Sequence, residues 1–160
     1  LARDGHYGRS ERVELRGCVL DAFAPHWDEL RERGVEVAIH VGPEVSILAS
    51  RDAVAVVVSN LVKNAIKYTE TGGITCHFLG QVLYVSDTGC GIADEDVPKV
   101  FTPFFRTRDA AESGRGGLGL GLAIVKRVCQ HHGWPVRLRS RLGKGTTVQV
   151  EFASPSTLFG

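Results

Sequence analysis

A chain of 160 residues, 43% hydrophobic and 23% charged, has the size and balance of one globular domain with a real core. Its formal net charge of +1 supplies no basic or acidic field of the kind that binds nucleic acid or a membrane surface. No apolar run approaches the roughly eighteen residues of a spanning helix, and no signal-peptide pattern opens the chain. Methionine is absent, so the chain reads as a piece of a longer protein, with residues 1–11 a linker remnant, 12–153 the domain and 154–160 a tail. Residues 11–17, ERVELRG, predict a short strand. CVLDAFAPHWDELRERG, 18–34, has apolar positions near helical spacing and predicts a helix that Pro25 perturbs and Gly34 ends. VEVAIHV, 35–41, alternates as a strand, and VSILAS, 45–50, is a shorter apolar piece. Ser50 suits the N-cap of a long helix running through Tyr68. GITCHFL and VLYVSD on either side of Gly80 and Gln81 predict a hairpin with a tight turn. The stretch 88–116 is loop-rich, with a short helical piece near DEDVPKVF. GLGLAIVKRVCQHHG predicts a helix that stops at Gly133, with His131 and His132 as charge complements to its dipole. Two strands, PVRLRSR and TTVQVEF, flank LGKG. Hairpins without a steady βαβ alternation predict an α+β fold: a two-layer α/β sandwich, with a mixed, mostly antiparallel sheet and helices on one face.

The cysteines Cys18, Cys76, Cys90 and Cys129 form no C-x-x-C pair. They read as reduced thiols of a cytoplasmic protein, which leaves open a parent tethered to the inner membrane.

Chemistry concentrates in three places. On the long helix, Asn60, Asn64 and Lys67 are spaced four and three apart and so share one stripe. Such a stripe either faces solvent or lines a polar pocket. In the second case an asparagine oxygen suits Mg²⁺ and the lysine suits phosphate. The strand VLYVSD delivers Asp87 into D-T-G-C-G. That can be an ordinary turn, one half of an aspartic-protease pair, or a carboxylate placed to accept from an exocyclic amine. The third place is ESGRGGLGLGLAIV. Gly114, Gly116 and Gly119 satisfy G-x-G-x-x-G, but no strand leads in and no acid follows about twenty residues on, so the dinucleotide reading fails. LGKGT lacks the upstream glycine of a P-loop.

In order, NLVKNAIKYT, DTGCGI, VFTPFFR, GGLGLGLAIV and GKGTT resemble the catalytic, ATP-binding domain of bacterial sensor histidine kinases, in the superfamily shared with gyrase, the MutL proteins and a heat-shock chaperone (the Bergerat fold). The resemblance spans about residues 12–152. It implies that Asn64 ligates Mg²⁺, that Asn60 and Lys67 contact phosphate, and that Tyr68 lies beside the nucleotide. Asp87 would select adenine through its amino group, in a pocket shaped by Gly89, Gly91 and Ile92. Phe101, Phe104 and Phe105 would anchor one end of an ATP lid over residues 107–116. Arg106 would reach the terminal phosphate. Gly117, Gly119, Leu120 and Gly121 would meet the phosphates at the start of a helix, where free N–H groups favour anions. Gly143, Gly145 and Thr146 would lie near adenine. Asn60, Lys67 and Arg106 are the implied catalytic residues, and ATP with Mg²⁺ the implied cofactors.

Leu118 stands where many of these kinases carry a small hydroxyl residue, and Ser50 where an aspartate is common. In the related ATPases a glutamate, four residues before the metal-binding asparagine, is the general base for water. Here that position is Asn60, which favours transfer to a protein group over hydrolysis. The implied acceptor is a histidine on a separate helical dimerisation domain, and the implied downstream partner a response-regulator receiver domain. No histidine in this chain stands in an acceptor-type sequence. A degenerate regulatory module and a hydrolytic ATPase remain alternatives.

Overall fold

The computed structural model describes residues 8–106 and 119–153. Strand β1 (Ser10–Glu14) leads directly into helix α1 (Leu15–Phe23). The expected strand through Gly17 is therefore cut short, because Leu15, Val19 and Phe23 recur every four residues and are all fully buried. Pro25 enters a 3₁₀ turn, Ala24–His26, that separates α1 from α2 (Trp27–Arg33). Gly34, at φ 68°, ends α2 in the left-handed conformation. Strands β2 (Val35–His40) and β3 (Ser46–Ser50) follow, then α3 (Arg51–Tyr68). The Ser50 hydroxyl caps α3 by accepting from the Ala53 amide at 3.3 Å.

Strands β4 (Gly72–Leu79) and β5 (Val82–Asp87) form the expected hairpin. Its two turn residues, Gly80 and Gln81, both have positive φ, 58° and 67°, the geometry that matches strand twist. A 3₁₀ turn occupies Val97–Lys99. Helix α4 (Gly121–His132) and the hairpin of β6 (Val136–Arg141) with β7 (Gly145–Glu151) complete the described chain.

The strand order is β2-β4-β5-β7-β6, with β1 and β3 paired apart as a small antiparallel ribbon. Only β2 with β4 is parallel; the remaining pairs of the main sheet are antiparallel. Cross-strand register sorts the side chains by face. Ile39, Cys76, Val85, Val148 and Leu138 align across all five strands and join the core with α1, α3 and α4. On the other face His77 and Tyr84 are Cα partners and stack at 4.6 Å. The architecture is the mixed, mostly antiparallel sheet with a helical layer.

One expectation about a side chain changes. His132 is a poor helix-end cation: burial, then neighbouring His131, pushes its pKa down, and its ring stacks on Trp134 at 4.6 Å. Among the cysteines, Cys76 and Cys129 are buried and pushed up to about 12 by desolvation, while Cys18 and Cys90 are half-buried; all four are free thiols. Among the described residues, no helix is long and apolar enough to cross a membrane.

Candidate functional site

Helix α3 buries Val54, Val57, Val58, Leu61, Val62, Ala65 and Ile66. The complementary stripe, Asn60, Lys63, Asn64, Lys67 and Tyr68, lines a cavity of about 290 Å³. Gly119, Leu120 and Gly121 close the opposite wall at the start of α4, and Phe105, Val100 and Ile92 complete it. Two amides and two ammonium groups thus face a helix N-terminus across one space. That is a place for an anion.

The Asn60 amide is oriented by chemistry. Its Nδ2 donates to the Val56 carbonyl at 2.8 Å, and a carbonyl can only accept, so Oδ1 is the free end. Oδ1 faces Gly121, where a Cβ would lie 3.4 Å away. Lys67 is held over the Tyr68 ring at 5.2 Å. Desolvation lowers its pKa, and the Arg106 charge lowers it further. Arg106 therefore shares the neighbourhood of Lys67.

Asp87 and Thr146 lie outside the cavity lining and are linked to it through the Ser140 hydroxyl, which pairs with Thr146 and accepts from the Ile92 amide. Asp87 is 8% exposed. Its Oδ1 accepts from the Gly89 amide at 2.9 Å and the Thr146 amide at 3.3 Å. Burial pushes its carboxyl pKa up, against the pull of those two bonds. The Cys90 amide donates to the Tyr68 carbonyl at 3.2 Å, which ties the Asp87 loop to the end of α3. Gly89 is required there, since a Cβ would strike the Tyr68 carbonyl oxygen. Gly145, at φ 131°, is required in the same way against the Asp87 carbonyl. Gly91 backs onto Arg141, and Gly143 donates to the Cys90 carbonyl at 2.7 Å.

The structure therefore brings together Asn60, Asn64, Lys67, Tyr68, Ile92, Gly119, Leu120 and Gly121 around one cavity, with Arg106 close to Lys67. Asp87, Gly89, Gly91 and Thr146 sit behind it. Phe104 is placed differently: it is 67% exposed, with φ 67°, and its amide donates to the Gly119 carbonyl at 3.0 Å. Phe105, not Phe104, lines the cavity. Gly117, Leu118 and the lid residues 107–116 lie outside the described residues. Sequence reasoning missed Lys63, although its spacing from Asn60 and Lys67 already put it on the stripe. It also missed Ser140, whose part is legible only once β6 is registered on β7.

Residues 49–156 match the family described as Histidine kinase-, DNA gyrase B-, and HSP90-like ATPase. The chain belongs to that family. Within it the chain is of the sensor-kinase type, an ATP-binding catalytic domain. Sensor protein SrrB of Staphylococcus aureus is 40% identical over 104 residues, which are 62% of this chain and 18% of that protein. The chain thus spans about a fifth of the curated relatives it matches. Full-length ShkA in complex with AMPPNP superposes with a TM-score of 0.73 at 29% identity, over 88% of this chain and 30% of that one. The nucleotide-free catalytic domain of histidine kinase ThkA gives 0.71 over 89% of this chain and 94% of that one. At 24% identity, that likeness speaks for the fold.

Proposed function

We propose that this domain binds Mg·ATP and presents the γ-phosphoryl group to a histidine on a separate helical dimerisation domain of the parent protein, from which a response-regulator receiver domain is then served. The observation that carries the reading is the amide-and-lysine stripe of α3 facing the N-terminus of α4 across one cavity, with the buried Asp87 carboxylate bonded in behind.

The residues fit the group. Mg²⁺ takes few protein ligands and keeps waters and phosphate oxygens, and among the described residues no cluster of three or more acidic, histidine or cysteine side chains competes for it. We assign Asn64 as the metal ligand, with Asn60 one turn earlier on the same cavity-lining stripe. Bound Mg·ATP supplies a polarised terminal phosphoryl group. The chain's part is positioning and charge: Lys67 and Arg106 offset negative charge on the phosphates, and the amides of Gly119, Leu120 and Gly121 orient them. Tyr68 and Ile92 pack beside the nucleotide. Both bonds from the chain to Asp87 fall on Oδ1, so Oδ2 is the oxygen that accepts from the adenine amino group. Asn60 offers a neutral amide already committed to Val56, which cannot take a proton from water. That favours transfer over hydrolysis. The AMPPNP bound by ShkA supports the same ligand class here.

Calorimetric titration of the domain with ATP tests the reading. Binding is expected in the micromolar range or weaker with Mg²⁺ present, and is expected to be lost with excess chelator. No binding overturns it. Label from γ-labelled ATP should pass to an added acceptor-histidine hairpin, with little steady-state release of phosphate by the domain alone. Rapid turnover without acceptor would instead make it a hydrolytic ATPase.

A further inference from the structure

One cross-strand row on the helix-facing side of the sheet changes character along its length. It begins apolar, Val37 beside Ile74, and ends polar, Asp87 beside Thr146 beside Ser140. Asp87 and Thr146 belong to the proposed nucleotide site. Ser140, on β6, does not. Yet its hydroxyl has three partners: the Ile92 amide at 2.7 Å, the Gly145 carbonyl at 3.0 Å and the Thr146 hydroxyl at 2.7 Å.

A serine hydroxyl has one proton and two lone pairs. The Ile92 amide takes one lone pair. If the Ser140 proton goes to Gly145, Thr146 must donate its own proton to Ser140, and the Thr146 oxygen is left as an acceptor. If the Ser140 proton goes to Thr146 instead, the Thr146 proton is released for another acceptor. Thr146 is 4% exposed, and its amide donates to Asp87. The site beside Asp87 can therefore present either an acceptor pair or an acceptor next to a donor.

We propose that Ser140 is a positioning residue for base recognition, whose hydroxyl takes over the hydrogen bond of Thr146 and lets Thr146 donate to the ring nitrogen adjacent to the amino group that Asp87 accepts from. The proposal rests on the nucleotide reading above. A 6-aminopurine needs that arrangement, an acceptor for its amino group beside a donor for its ring nitrogen. A 6-oxopurine presents the reverse pattern and leaves both protein groups mispaired.

The test compares ATP with 1-deaza-ATP, which lacks that ring nitrogen, on wild type, Ser140→Ala and Ser140→Thr, each read by calorimetry and thermal melting. Wild type should prefer ATP by about tenfold, the worth of one well-made buried hydrogen bond. Ser140→Ala leaves the Thr146 hydroxyl without the partner that fixes its rotation, so ATP should weaken toward the 1-deaza-ATP value while 1-deaza-ATP changes little, and Ser140→Thr should restore the preference. A serine that only braces the loop would weaken both nucleotides in parallel, and that result overturns the proposal. So does a preference that is undiminished in Ser140→Ala. Equal affinities on wild type overturn it without any variant, should Ser140→Ala fail to fold. If wild type binds neither nucleotide, the nucleotide reading itself has failed and this proposal falls with it.

Discussion

Asp87 sets a functional requirement against stability. It is buried, and desolvation raises its pKa even though two amides donate to it. The folded chain therefore holds that proton more readily than the unfolded chain. The stabilising contribution is complete below the ordinary carboxylate range and is lost as pH rises through the raised folded value, so at neutral pH the ionised group opposes folding. In Asp87→Asn, the amide oxygen still accepts from Gly89 and Thr146 while the buried charge is gone. The melting temperature at neutral pH should hold or rise, its decline between those two pH values should flatten, and ATP affinity should fall more than about tenfold. A lower melting temperature would contradict the argument. Lys67 makes the complementary case. Its pKa is lowered by burial and then by Arg106; Arg106→Ala should raise it, as should bound Mg·ATP, and both shifts are measurable by NMR titration of the Lys67 Nζ resonance. An unmoved Lys67 in the variant would separate the two charges.

Helix α3 carries the site, and each of its ends is held by a different device. Ser50 caps the beginning, as the sequence alone suggested. The other end is held by a residue whose role the sequence does not announce. Arg33, the last residue of α2, donates through Nη1 to the Thr69 carbonyl at 2.9 Å and through Nη2 to the Ile66 carbonyl at 3.1 Å. These are charge-assisted bonds to the negative end of a helix dipole, on the turn that supplies Lys67 and Tyr68. Arg33→Gln should lower stability by about 1–3 kcal/mol in urea unfolding and weaken ATP binding, because the Tyr68 carbonyl that receives Cys90 moves with that turn. Arg33→Lys should recover only part, since one ammonium cannot reproduce the planar fork. A wild-type unfolding midpoint in Arg33→Gln would remove Arg33 from this role. The contrast shows what local pattern reveals. Helix periodicity, the Ser50 cap and the Gly80–Gln81 turn depend on near neighbours and were readable. The helix at Leu15, the contact of Arg33 with a helix 33 residues away and the Ser140 hydroxyl depend on which distant segments meet. So does the parallel pairing of β2 with β4, which no hairpin signal marks.

At the scale of the molecule, the proposed ligand would touch two helices and the sheet at once. Helices α3 and α4 line opposite walls of the cavity. The sheet reaches it through Asp87, Thr146 and the Cys90–Tyr68 bond. A nucleotide held by α3, α4 and the sheet together binds the folded chain and not the unfolded one, so it must raise stability by mass action. At a free concentration about a hundred times the dissociation constant, the gain is about 2.7 kcal/mol, which for a domain of this size is a rise of roughly 5–10 °C in melting temperature. The rise should vanish with chelator and in Asp87→Asn for different reasons. Chelator removes the counterion at the Asn64 end, whereas the variant removes base recognition at the far side. The two ends can therefore be told apart. With chelator, adenosine should still give a small shift in wild type, because it carries the base without phosphates; in Asp87→Asn it should give none. A shift by ATP that is indifferent to both treatments would mean the nucleotide sits somewhere other than between α3, α4 and the sheet.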